Sequence, residues 1–534
     1  MLQLAGYFSV LLHALALVGM AASVGGLLFC VLVLNPVAGA PDGAALRRVL
    51  RVGRIGVWAM LACQLGVLLL APWGLAEDNG SWPIREYLQT GFAQASCWRL
   101  LLGLLLAALL HWLAAAPTRA ARWHFAVGGS LAFVISGAFV VHAVSRLEGA
   151  GVLMVATVVH QLAACVWVGS VMALIACAGV RRDSPLDLWP RLLARFSPLG
   201  MACVGSLLAC GVFIASRYVG DWPSLIGTNY GIMVIAKLLL MAVALVLAAL
   251  NFRHTSAWRA TGNAGAVQRS LPALIEAEFV ALVAIVLLGA SLAATPPAAD
   301  VDYERASLTE VIGTLAPKAP RLLPPNHAEL QESGQSALDF FNPAGEIDKA
   351  QSNFNHNISG LLLLLIAAAA IADRLRLTPL ARHWPLLFLP FALVLQVIVE
   401  PTGWPLGDEP FLSTLRNPSV VQHRLASVLP LAIGFMEWRV QLGKLPESRW
   451  RFTFPLLCFL GGAVLLTHTH VATGLKQEFL IEVSHAGIAL CAVLAGIGRW
   501  LELRLPPPAP RLAGLIWTTS LLLIGFLLLF YQEL

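Results

Sequence analysis

Long apolar stretches separated by short polar ones organise the whole chain. Fourteen runs lie near 7 to 34, 50 to 72, 93 to 116, 122 to 144, 151 to 179, 195 to 216, 229 to 252, 270 to 294, 356 to 373, 384 to 403, 419 to 438, 452 to 470, 480 to 499 and 512 to 531. Each reaches or approaches the length of about 18 residues at which an apolar helix crosses a bilayer. The pattern predicts an all-α, polytopic integral membrane protein with about 14 transmembrane helices. The first run has no basic segment before it and exceeds a signal-peptide core in length, so it reads as a retained helix.

The polar stretches carry the orientation, because Lys and Arg concentrate on the cytoplasmic side of a membrane protein. With the N-terminus outside, 23 basic residues fall in inner loops and 11 outside, with Lys237 inside a helix. Both termini are therefore expected to face outward. The net charge of +6 is a consequence of this sorting and gives no reason to expect nucleic acid as a partner.

Composition agrees with the periodicity: 58% of the 534 residues are hydrophobic and 12% charged, too apolar for a soluble protein of this length. The nine cysteines are scattered singly without a CxxC pair. They suggest small buried hydrophobes and no disulfide framework. Phosphate-loop, HExxH and GxSxG patterns are absent.

The polar, Pro-rich stretch 296–353 divides the apolar runs into two groups. The expected organisation is an eight-helix membrane domain over 1–295, an outer linker, and a six-helix membrane domain over 354–534. Short helical turns and extended backbone are expected for the linker. In the first domain the element H-x-L-A occurs at His13 and again at His160, four helices apart, which suggests a parallel four-plus-four repeat. Met20 and Trp167 each follow their histidine by seven residues, two turns along the same face. An imidazole with a thioether suits Cu(I), although both residues also serve as packing. Lys237, Glu276 and Glu278 lie inside apolar runs. An ionisable group there costs about 2.5 to 3.5 kcal/mol on the gentler insertion scale, so a partner or a pathway is expected.

The histidines are unevenly placed. On this topology nine of 13 lie toward the outside, including five of the six in the second domain: His356, His423, His468, His470 and His485. The densest stretch is THTHVATGLKQEFLIEVSHAGIA, residues 467 to 489. On a helix there, Glu478, Glu482 and His485 share one face. His468 and His470 point the same way if the backbone before it is extended. Clustered imidazoles with carboxylate suit Cu, Zn or Fe. The plainer reading is a wet polar rim at headgroup level.

The runs SNFNHNISG, LRNPSVVQHRLASVLPLAIGFMEWRV, FPLLCFLGGAVLLTHTHVATGLKQEFLIEVSHAGIAL and GRWLELRL in the second domain, and LHALALVG, VVHQLAACVWVG and YGIMVIAKLLLMAVALVLAALNFR in the first, are long enough to compare with known families. They resemble the long form of the copper resistance protein D (CopD) family of bacterial inner-membrane proteins. The resemblance implies copper handling at the inner membrane, with a periplasmic copper carrier as partner. His356 matches the first position of a double histidine in relatives, and the second position here is Asn357.

The expected function is transport of copper ions from the outer side. Metal would be captured by His356, His423, His468, His470 and His485 with Glu482, then passed toward His13, Met20 and His160. The alternative is a membrane redox protein with b-type haem held by His13 and His160, or an iron or other His/Glu centre at the outer face. Glu482-x-x-His485 has the spacing of carboxylate-bridged di-iron helices, but a second such motif is missing. A scaffold that delivers metal to another complex shares the same candidate residues.

Overall fold

A computed structural model describes residues 2–38, 43–79, 82–140, 149–178, 188–262, 264–301, 304–326, 346–398, 403–415, 418–466 and 476–533. Among them the chain is helical, and the one β contact is an isolated bridge between Gly403 and Glu409. Thirteen helices are long and apolar enough to cross a membrane. The fourteenth expected span forms a helix over Pro418–Gln441. It is not among the thirteen, and it carries Gln422, His423, Arg424, Glu437 and Arg439.

The first block begins with α1, Gly6–Val37, whose middle is loosened by π turns at Ala21–Gly25 and Cys30–Leu34. Then follow α2 (Ala44–Asn79), the short α3 (Ile84–Gln89), α4 (Gly91–Ala115), α5 (Ala120–Ser136) and α6 (Ala150–Ala178). After these come α7 (Leu188–Tyr218), the short α8 (Trp222–Gly227), α9 (Asn229–Thr261) and α10 (Ala264–Ala294). Burial separates centre from rim. The most apolar windows of α1, α6 and α10 are 72%, 67% and 67% buried, whereas that of α7 is 11% buried and offers its surface to lipid. The two central helices α1 and α6 cross with almost no space between backbones. A Cβ on Gly25 would lie 1.8 Å from the Cys165 carbonyl oxygen, and one on Gly169 2.1 Å from that of Ala21. Only glycine permits this approach.

The second block comprises α12 (Glu346–Arg374), α13 (Phe388–Ile398), α14 (Pro418–Gln441), α15 (Thr453–Leu466), α16 (Lys476–Arg504) and α17 (Pro510–Leu529). Its core is aromatic: Trp384 stacks on Trp517 at 5.5 Å, and Phe454 meets Trp517 edge-on at 5.5 Å. Beside the aromatics runs a buried ion network. Arg499 binds Glu437 and, at 2.6 Å, Glu502, which also pairs with Arg374 and accepts from Trp517 Nε1 at 2.5 Å.

α16 joins the blocks by packing on α9 and α10. At one end Arg504 reaches Glu276 at 2.9 Å, and the Trp500 indole donates to the same carboxylate at 3.0 Å. At the other end Lys476 contacts Glu304 at 2.8 Å and Glu310 at 2.5 Å. Glu310 belongs to α11, Leu308–Leu315, which Ser307 starts with a reciprocal capping box. The hydrogen bond from Lys476, followed by those from Ser307, holds the Glu310 carboxyl down at about 2. The linker thus lays one capped helix across the end of α16.

Candidate functional site

At the α16 end marked by Lys476, two of the expected ligands meet. His356 on α12 and His485 on α16 have ring centroids 5.8 Å apart with planes nearly perpendicular. Each ring is set by its own helix: His356 Nδ1 lies 2.8 Å from the Ser352 carbonyl, and His485 Nδ1 2.9 Å from that of Ile481. A proton on each Nδ1 satisfies these carbonyls and leaves the lone pair on Nε2. An ion about 2 Å from each Nε2 would separate the centroids by roughly 5 to 6 Å, the spacing found.

A third ring completes the cluster. Tyr531, just beyond α17, lies 4.1 Å from the His356 ring and 6.1 Å from that of His485. Its hydroxyl bonds to Ser352, while burial, with Glu533 and Glu482 adding to it, pushes the phenol well above its ordinary value. It therefore stays a neutral phenol at physiological pH. Asn357 explains how the tail is held. Its Nδ2 donates to the carbonyls of Leu528 at 3.1 Å and Tyr531 at 2.9 Å, its Oδ1 accepts from Arg321 N at 2.6 Å, and it is 1% exposed. Asn353 adds a bond from Glu533 N at 2.6 Å. In this chain the position after His356 anchors the C-terminal tail and the linker. No periodicity in the sequence pointed to Tyr531, because its role depends on α12 and α17 being neighbours.

Glu482 is buried and borders a small cavity of about 20 Å³ between the blocks, lined also by Asn229 and Met233 of α9 and by Leu466. The carboxylate thus sits between the ring cluster and the first block. Met233 is a soft donor that the reading of the sequence passed over.

The remaining expected ligands of the second block are not brought to this cluster. His468 and His470 lie outside the described residues, as do the side chains of His423 and Glu478. The helix of His423, α14, packs chiefly on α13 and α15 rather than on α12 or α16.

In the first block Met20 is 2% exposed within the apolar core. The His160 ring lies against Gly211 of α7, 3.3 Å from where a Cβ would stand, with Lys237 in electrostatic reach. His13 has Arg99 in reach instead. Each histidine therefore has a cation of its own in reach. Arg99 falls among the outer basic residues of the loop-by-loop sorting, yet it lies inside α4, 8% exposed, over the Phe133 ring at 4.6 Å. The buried Glu278 accepts from Trp167 Nε1 at 2.9 Å and Asn251 Nδ2 at 2.7 Å. Trp167, seven residues after His160, is thus committed to a carboxylate. Among the described residues no three His, Cys, Asp or Glu side chains come together as a metal cage.

Residues 190–292 match the family described as Copper resistance protein D. The chain carries a CopD domain. Within the matched stretch lie most of α7 and α10, all of α8 and α9, and with them Met233, Lys237, Asn251, Glu276 and Glu278. The chain is also similar to "Copper transport protein CutJ" of Bacillus subtilis (strain 168), 29% identical over 165 residues. That match covers 30% of this chain and 29% of the relative, so the chain spans under a third of it. No solved structure matches. His13, His160 and the outer ring cluster lie outside the CopD domain match.

Proposed function

We propose that this multi-pass protein handles copper at the bacterial inner membrane, taking ions from the outer side and passing them toward the first block. What supports this reading above all is the His356–His485 pair, two imidazoles from different helices at a spacing that fits one shared ion. The CopD domain and the likeness to a copper transport protein favour copper as that ion. Glu482 and Met233 line one small cavity between α16 and α9, and carboxylate beside thioether suits an ion moving from a polar rim to a softer interior. His423, His468 and His470 are further candidate ligands at the mouth. His13, Met20 and His160 are candidates for the inner end. A periplasmic copper carrier would deliver the ion.

Orientation belongs to the same proposal. Both termini face outward, and reporter fusions at Asp183 and Ser333 are expected to give cytoplasmic and periplasmic signals respectively. The direct test is copper content after purification. Replacing His356 and His485 together by Ala is expected to bring bound copper to background while the protein still elutes as a folded species. Full copper content in that variant would overturn the reading.

A further inference from the structure

The first block contains two cations inside its membrane helices, Arg99 buried and Lys237 half-buried, whose placement is the same twice over. In the first instance Trp82-Pro83 leads into α3, Thr90 caps α4, and Arg99 follows nine residues later. In the second Trp222-Pro223 opens α8, Thr228 caps α9, and Lys237 follows nine residues later. The capping threonines act alike. Thr90 Oγ1 donates to Tyr87 O at 2.7 Å and accepts from Ala93 N at 3.2 Å, whereas Thr228 Oγ1 donates to Ser224 O at 2.6 Å and accepts from Gly231 N at 3.0 Å. Each cation then lies in electrostatic reach of one histidine of the H-x-L-A pair, Arg99 of His13 and Lys237 of His160. Four helices on, the chain repeats the arrangement.

Neither cation has a carboxylate among the described residues. Arg99 reaches Ser136 Oγ at 3.4 Å and lies with Gln161 Oε1 around Gly137. Lys237 Nζ comes within 3.9 Å of where a Cβ on Gly289 would stand. By contrast, Arg499 in the second block is paired with Glu437 and Glu502, and Arg504 at the block interface with Glu276. An isolated buried cation is strongly disfavoured unless it is neutralised. A lysine can lose its proton, but a guanidinium stays charged in proteins, so at Arg99 an anion would supply the partner that no described carboxylate provides. The repeat extends that reasoning to Lys237. Both cations lie eight residues inside their helices, a rise of about 12 Å from the helix start. A lipid headgroup stays at the surface, whereas a small ion can follow the polar side chains inward.

We propose that Arg99 with His13, and Lys237 with His160, form two pseudo-equivalent niches for a small monovalent inorganic anion. An anion there cancels the fixed charge that repels a metal cation from each histidine, so anion and copper binding strengthen each other. The niches themselves do not depend on copper being the cargo.

Radioactive chloride binding to the purified full-length protein, in detergent with gluconate as the background salt, tests this. The wild type is expected to hold about two chlorides per chain, Arg99→Gln or Lys237→Gln about one, and the double variant none, since a neutral amide supplies no charge. Lys237→Arg is expected to keep the wild-type value. Should Arg99→Gln fail to fold, loss of half the chloride in folded Lys237→Gln alone carries the same weight. Absence of saturable chloride binding in the wild type, or an unchanged stoichiometry in Lys237→Gln, overturns the proposal. So does displacement of the chloride by phosphatidylglycerol in nanodiscs, which would make lipid the occupant. Because the readout contains no copper, its failure is separable from failure of the transport reading.

Discussion

The two helical blocks treat buried charge in opposite ways. In the second block Arg499 is enclosed with Glu437 and Glu502, Arg374 joins Glu502, and the set is neutral. In the first, Arg99 and Lys237 have no acid among the described residues, and Glu278 is held by the neutral donors Trp167 and Asn251. Charges that neutralise each other can cross-brace helices where water is excluded. Unpaired ones cost stability wherever they are, so their retention points to something that arrives and leaves. The second block thus reads as a braced scaffold that presents ligands at its mouth, and the first as the part that interacts with mobile charge.

Breaking the brace is expected to have the largest effect. Glu437→Ala leaves Arg499 and Arg374 to share the single Glu502 carboxylate in the core, and removal of one partner from a buried pair costs about 3 to 5 kcal/mol. Thermal unfolding in detergent is expected to show a large fall in Tm, with Arg499→Met added to Glu437→Met recovering much of it. A small effect would remove the distinction between the blocks.

A smaller loss is expected for Asn251→Ala, which takes one donor from the buried Glu278 carboxylate, at about 1 to 3 kcal/mol for a stranded polar group. Lys237→Met is expected to go the other way, leaving Tm unchanged or raised, because it removes a cation that no described carboxylate compensates. A fall of several degrees would mean that Lys237 braces the fold after all.

The smallest effect concerns the clamp of Lys476 on Glu304 and Glu310. Glu310 titrates at about 2 against an ordinary value of 4.5, so its contribution is complete above about 4.5 and is lost as pH falls toward 2. Lys476 is raised by the same contacts, so its share persists below its ordinary 10.5 and is lost only above that. Both groups are solvated, and salt screens them. Proteolysis of the linker is expected to be flat from pH 5 to 9 at low salt and faster at pH 3. Equal rates at pH 3 and pH 7 would remove the clamp from the account.

The sequence made the spans legible because an apolar run of bilayer length has few other solutions. The Pro418–Gln441 helix is the weakest of them, since its core-facing Arg424 and Glu437 dilute the signal that marks the others. At the mouth, His356 and His485 could be named from their positions, but their meeting depends on α12 and α16 both lying beside α17, and helix adjacency leaves no trace in one sequence. Tyr531 and the clamp by Asn357 were invisible for that reason. Arg99 was legible in principle. It follows a Trp-Pro and a capping threonine as Lys237 does, and counting it with the outer loops hid that correspondence.

X-ray absorption at the copper edge of the purified, copper-loaded protein tests the central claim most directly. The account predicts imidazole scattering with nitrogen at about 2 Å, which disappears in the His356→Ala, His485→Ala protein and persists in Lys237→Gln. Copper bound without imidazole scattering, or the same imidazole signal in the double histidine variant, would contradict it.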